Sequence, residues 1–137
     1  MVSTNIFIDT SWYKAFLDVK DEFHNLAIDQ YEKLKSSKTL FITTNFIIDE
    51  SLTLIRMKSG LPTALNFRDM LFEMVDVLKI VRVMPNDETE AWKWFPKDWR
   101  RLSFTDCTSF AVMKRIDLKD VATFDQHFTR AGFNIFK

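Results

Sequence analysis

Four carboxylates, far apart along the chain, stand where acids could act together. Asp9 closes the apolar run NIFID at residues 5–9, and Asp125 closes DVATFD at residues 120–125. Both runs read as β-strands, and in open α/β sheets ligands sit beyond the carboxyl ends of strands. Glu50 shares a largely apolar helical stripe with Phe46, Ile47, Thr53 and Met57. Asp49 falls instead with Asn45 and Arg56 on a polar side, so Asp49 reads as solvated and Glu50 as turned inward. Asp106 follows Ser103-Phe104-Thr105 and begins a helix.

Each acid alone has a plainer role. An aspartate after a strand is commonly a turn residue or a helix N-cap. An inward glutamate can belong to a structural ion pair. Ser103-x-x-Asp106 matches a capping box. Together the four have another chemistry. Anions converging on one cleft repel, and their pKa values rise unless a cation sits among them. A hard divalent ion with oxygen ligands resolves that repulsion. Magnesium or manganese there acidifies water for attack on a phosphodiester and screens the leaving oxygen. One or two ions, roughly 3.5–4 Å apart if two, suit such a site, and no Ser, Cys or His nucleophile is needed.

Other reactive residues are less telling. Cys107 has no basic partner and reads as a buried core thiol. His24 and His127 fit no zinc spacing, and His127 reads as a surface helix residue. Residues 92–101, WKWFPKDWRR, hold four basic residues against Asp98. Arg100 and Arg101 are candidate RNA contacts, with Lys97 beside them. Trp92, Trp94 and Trp99 read as packed on the sheet.

The elements that must position these acids alternate. Strands are predicted at residues 5–9, 39–43, 78–84, 120–125 and 133–136. Helices are predicted at 11–19 (Trp12, Ala15, Phe16 and Val19 inward) and from the charged break at 20–22 to about 36 (Leu26, Tyr31 and Leu34 inward). Another runs from 45 to about 58, with Thr44 as N-cap and Gly60 just past its end. The next, over 62–77, starts near Pro62 and places Leu65, Leu71, Phe72 and Val75 in the core. Shorter ones follow at 87–95 (broken by Pro96), 105–115 and 126–131, with a turn at Gly132. Strands separated by helices imply βαβ crossovers. The expected fold is therefore a three-layer α/β sandwich, a mostly parallel five-stranded sheet covered by helices on both faces.

Composition bounds the rest. A chain of 137 residues, 47% hydrophobic, has the size and core of one domain, expected to span 1–137. Two Gly and three Pro exclude repeats built on those residues. A single cysteine precludes an internal disulfide and suits a cytoplasmic setting. The start, Met1 to Thr4, lacks a basic region, and charges interrupt every apolar run, so neither a signal peptide nor a membrane span is expected. Net charge is zero, low for a general nucleic-acid binder.

The chain resembles the PIN-domain superfamily, especially VapC-like toxin ribonucleases, over nearly its whole length. The resemblance lies in Ile8-Asp9-Thr10-Ser11, Thr43-Thr44-Asn45-Phe46-Ile47-Ile48-Asp49-Glu50, Leu102-Ser103-Phe104-Thr105-Asp106-Cys107, and Thr123-Phe124-Asp125-Gln126-His127-Phe128 followed by Gly132-Phe133. It implies a divalent-metal-dependent endoribonuclease with metal ligands Asp9, Glu50, Asp106 and Asp125. It also implies that Thr10, Ser103 and Thr105 support the acids by hydrogen bonding, that homodimers are frequent, and that in the toxin branch an antitoxin occludes the site. The pattern departs after the fourth acid, where many relatives have another carboxylate and this chain has Gln126, His127 and Phe128.

Other functions fit less well. A haloacid-dehalogenase-type hydrolase wants Asp-x-Asp after the first strand, where this chain has Asp9-Thr10-Ser11. A receiver-type switch wants paired early acids and a late lysine, which are not found. A PIN-type nuclease of RNA maturation or turnover, or a non-catalytic RNA-binding module, remains as the alternative to a toxin.

Overall fold

The computed structural model describes residues 4–137, so the predicted absence of a basic start falls mostly outside the described residues. Five strands, β1 (Asn5–Ile8), β2 (Leu40–Thr44), β3 (Leu78–Val81), β4 (Asp120–Ala122) and β5 (Asn134–Ile135), form one sheet in the order β3-β2-β1-β4-β5. Every pairing is parallel. The expected α/β sandwich is the observed fold.

The connections are α1 (Thr10–Leu17) and α2 (His24–Ser36), then α3 (Asn45–Ser59) and α4 (Leu61–Glu73), then α5 (Pro85–Ala91) and α6 (Phe104–Arg115), and finally α7 (His127–Arg130). The path steps outward from β1 through β2 to β3, then returns across the sheet to β4. Right-handed crossovers therefore put α1 to α4 on one face and α5 to α7 on the other. Register agrees: Ile6 pairs with Phe41, and Phe7 with Ile42, so successive residues face opposite layers. Phe41 meets Trp12 and Tyr31 from α1 and α2. Phe7 meets Phe128, which packs on Phe110 and Phe133.

Local signals set most boundaries. The Thr44 hydroxyl accepts from the Ile47 N–H at 3.1 Å and caps α3. Gly60 ends α3 at φ 94° and ψ 165°, a conformation closed to other residues, and starts α4 directly. Ser103 caps α6 in a reciprocal box with Asp106.

Several strands stop short of their predicted ends. β4 ends at Ala122, so Asp125 lies beyond the strand in a turn. β3 ends at Val81, because the Val83 N–H turns to the Asn45 side chain at 2.8 Å. The buried faces of two helices also differ from those expected. On α4 the buried positions are Ala64 and Phe67, with Leu71 partly covered behind them. Leu65 and Phe72 lie on the opposite face, and Val75 lies past the helix end; Phe72 and Val75 are both 72% exposed. Val19 and Leu26 are likewise exposed, since α1 ends at Leu17 and α2 buries Ala27, Gln30 and Leu34. Among the described residues no helix is long and apolar enough to cross a membrane.

Candidate metal centre

The sheet reverses its winding between β1 and β4, whose C-terminal ends lie side by side. Asp9 follows β1 there and caps α1. Its Oδ2 accepts from the Ser11 hydroxyl at 2.9 Å and the Thr123 hydroxyl at 2.7 Å, with a longer Ser11 N–H contact at 3.4 Å. Each hydroxyl in turn accepts a backbone N–H, Ser11 from Phe124 and Thr123 from Asp125. The two hydroxyls also stand 3.0 Å from each other, so Ser11, Thr123 and the carboxylate form one compact network. Asp9 is 2% exposed, and its other oxygen, Oδ1, is buried without a partner among the described residues.

Glu50 reaches the same end of the sheet from α3, its Oε1 accepting from the Thr10 hydroxyl at 2.6 Å. It is only half-buried. The buried line of α3 is Ile47, Ser51 and Ile55, while Thr53 and Met57 are exposed. The apolar stripe assigned to Glu50 is thus not a core stripe, although Asp49 is solvated as expected.

Asp106 sits in the first turn of α6 and is 6% exposed. Its N–H donates to Ser103 Oγ at 2.9 Å, and its Oδ2 accepts the Ser103 N–H at 3.2 Å. Asp125 Oδ1 accepts the His127 N–H at 2.9 Å, which fixes the turn after β4. Of the expected supporting residues, Thr10 and Ser103 bond to Glu50 and Asp106. Among the described residues Thr105 bonds only through its carbonyl, which accepts from Thr108 and Ser109.

The charges act on one another. Burial pushes Asp9 up to about 6, with the Thr123 and Ser11 bonds pulling down and the Asp125 and Glu50 charges pushing up. Burial, then the Asp9 and Asp125 charges, push Asp106 up to about 8 against the pull of the Ser103 N–H, with Glu50 adding to the rise. All four predicted acids therefore share one field. The tightest group is different: one ligand atom each from Asp106, Asp125 and His127 lie within 4.8 Å of one another. His127 is not the plain surface residue expected. Its ring stacks on Trp99, centroids 6.0 Å apart and planes 16° apart.

Sequence reasoning passed over Ser11 and Thr123 as supports, although both stand in the quoted motifs. Small hydroxyls flanking two acids were the available signal. The tryptophans divide: Trp94 is buried against Phe110 and lies under Lys114, Trp99 meets His127, and Trp92 is exposed. Trp92, Phe95 and Phe104 form an open aromatic group. Arg100 and Arg101 are exposed just ahead of α6, Arg101 with left-handed backbone at φ 64°. Cys107 is buried, and burial with the Asp106 charge raises its thiol to about 11, which removes it as a nucleophile.

Comparison with known proteins agrees with this fold. The family model described as PIN domain matches residues 6–134. The 23S rRNA-specific endonuclease VapC20 of Mycobacterium tuberculosis, found in two strains, is 32% identical over 130 residues, 93% of this chain and 95% of the relative. The crystal structure of that protein, described as a sarcin–ricin loop cleaving toxin, superposes with a TM-score of 0.79 over the same shares. FitAcB from Neisseria gonorrhoeae, 14% identical, shares the fold with a TM-score of 0.68 over 96% of each chain.

Proposed function

This chain belongs to the PIN-domain family, and from that premise we propose that it is a divalent-metal-dependent endoribonuclease, the toxin of a toxin–antitoxin pair. Asp9 carries the reading: a buried carboxylate, bonded through Oδ2 alone, in a cleft with three other acids.

An orphaned buried oxygen and two raised carboxyls fit a hard cation with oxygen ligands. Asp9, Glu50, Asp106 and Asp125 would hold it. When bound, magnesium or manganese supplies positive charge against the phosphodiester oxygens and acidifies water for attack. The chain's own residues do the positioning. Ser11 and Thr123 hold Asp9 by one oxygen and leave the other free. Thr10 aims Glu50, and Ser103 aims Asp106. Arg100, Arg101 and Lys97 meet the phosphates of the strand, and Trp92, Phe95 and Phe104 offer rings to unstacked bases.

The substrate is RNA. The 32% identical relative is named for 23S rRNA, so the sarcin–ricin loop is the first substrate to try. The protein acts as one domain over 1–137 in the cytoplasm, where an antitoxin covers the acidic cleft. It pairs with a second copy through α4, where Leu61, Leu65 and Phe72 are exposed along one face.

The test is cleavage of an RNA hairpin carrying that loop, with magnesium, manganese or EDTA. Cutting is expected only with metal, and at least about 100-fold more slowly in Asp106→Asn. Undiminished cutting in EDTA, or by the variant, overturns the reading.

A further inference from the structure

The tightest group of ligand atoms in the cleft includes an imidazole. Asp106, Asp125 and His127 each bring one atom to within 4.8 Å of the others. His127 Nε2 stands 4.0 Å from Asp125 Oδ1, beyond a hydrogen bond. Two ligand atoms about 2.1 Å from one ion lie roughly 3 to 4 Å apart. That separation therefore suits two ligands facing one ion across a small adjustment.

The ring is held for this task. Only 12% of the His127 side chain is exposed, and the parallel Trp99 ring fixes its plane. The Asp125 turn fixes its backbone through the 2.9 Å N–H bond. A second observation points to a cation in the same cleft: Asp9 Oδ1, fully buried, lacks any partner among the described residues. Thr123 joins Asp9 to the group, its hydroxyl donating to Asp9 Oδ2 at 2.7 Å and accepting the Asp125 N–H at 3.0 Å.

We infer that His127 is a metal ligand, forming with Asp106 and Asp125 a mixed nitrogen–oxygen position that prefers a first-row transition ion to magnesium. The inference rests on the acidic-cleft reading above and adds which ion the cleft takes. Imidazole suits transition ions, whereas magnesium keeps oxygen ligands and water. Trp99 is a positioning residue, setting the ring without touching the ion.

The test uses manganese(II) as the probe, bound to the whole chain without RNA. Electron spin echo modulation should show nitrogen coupled directly to the ion, and His127→Gln should abolish it. Manganese affinity should fall about 10-fold or more in that variant. His127→Asp restores an all-oxygen group, so magnesium should compete about 10-fold better than in the wild type. If His127→Gln does not fold, the wild-type nitrogen signal and the His127→Asp competition decide. Bound manganese without nitrogen coupling, or an unchanged magnesium-to-manganese ratio in His127→Asp, overturns the inference. Either result leaves the nuclease reading standing if Asp106→Asn still stops RNA cleavage. Nitrogen-coupled manganese on a protein that cuts no RNA has the opposite meaning.

Discussion

At the scale of single residues, the asymmetry of Asp9 explains the cleft. One carboxylate oxygen takes both neighbouring hydroxyls, and the other takes nothing from the described residues. Supports of this kind typically govern metal affinity 10- to 100-fold. Thr123→Val keeps the shape and removes the 2.7 Å bond. Its manganese affinity, read by calorimetric titration, should fall by roughly that factor. Asp106→Asn should have two opposed effects. Catalysis is lost, while the metal-free protein gains on the order of 2 kcal/mol of stability at pH 8.5, because a repelled buried charge is gone. The amide oxygen still accepts the Ser103 N–H, so the helix start survives.

At the scale of elements, the site depends on where helices start. α1 begins on Asp9 and α6 on Ser103, so a cap and a proposed ligand are one residue in the first case and reciprocal partners in the second. Ser103→Ala should cost about 1 kcal/mol in urea unfolding. It should also loosen Asp106, so activity falls further than that loss of stability explains. Gly60 joins α3 to α4 without a linker, at φ 94°. A Cβ there meets only Pro62 Cδ at an ordinary 3.8 Å, so the strain of Gly60→Ala lies in the backbone. It should cost about 1–3 kcal/mol, seen as a lower urea midpoint with an unchanged slope.

At the scale of the molecule, the acids make stability depend on pH. Asp9 and Asp106 titrate near 6 and 8 when folded, above roughly 3.9 when unfolded. The folded chain binds those protons more tightly. Their contribution is fullest below about pH 4 and is lost as pH rises through 6 and 8. Asp87 runs the other way. Burial raises its carboxyl, but the paired Arg115 bonds at 2.8 and 2.9 Å and the Met84 N–H outweigh it and lower the value. Its contribution is present above about pH 4 and is lost as pH falls through the folded value. Thermal unfolding in EDTA should therefore give a higher midpoint at pH 5 than at pH 8.5. Added manganese should raise the midpoint more at pH 8.5, where it displaces fewer protons.

Sequence alone determined the order of strands and helices, the caps at Thr44 and Ser103, the glycine break and the four acids. Each of these follows from residue types within a few positions of one another, where backbone preference and capping act. Tertiary structure alone decided which hydroxyls serve Asp9, since Ser11 and Thr123 meet across 112 residues. It also decided that Trp99 and His127 stack, and that Leu65, Phe72 and Val75 face outward. An apolar stripe on a helix shows that one side is greasy, but the layer it meets is set by strand order. That order depends on packing between distant segments, which no local spacing encodes.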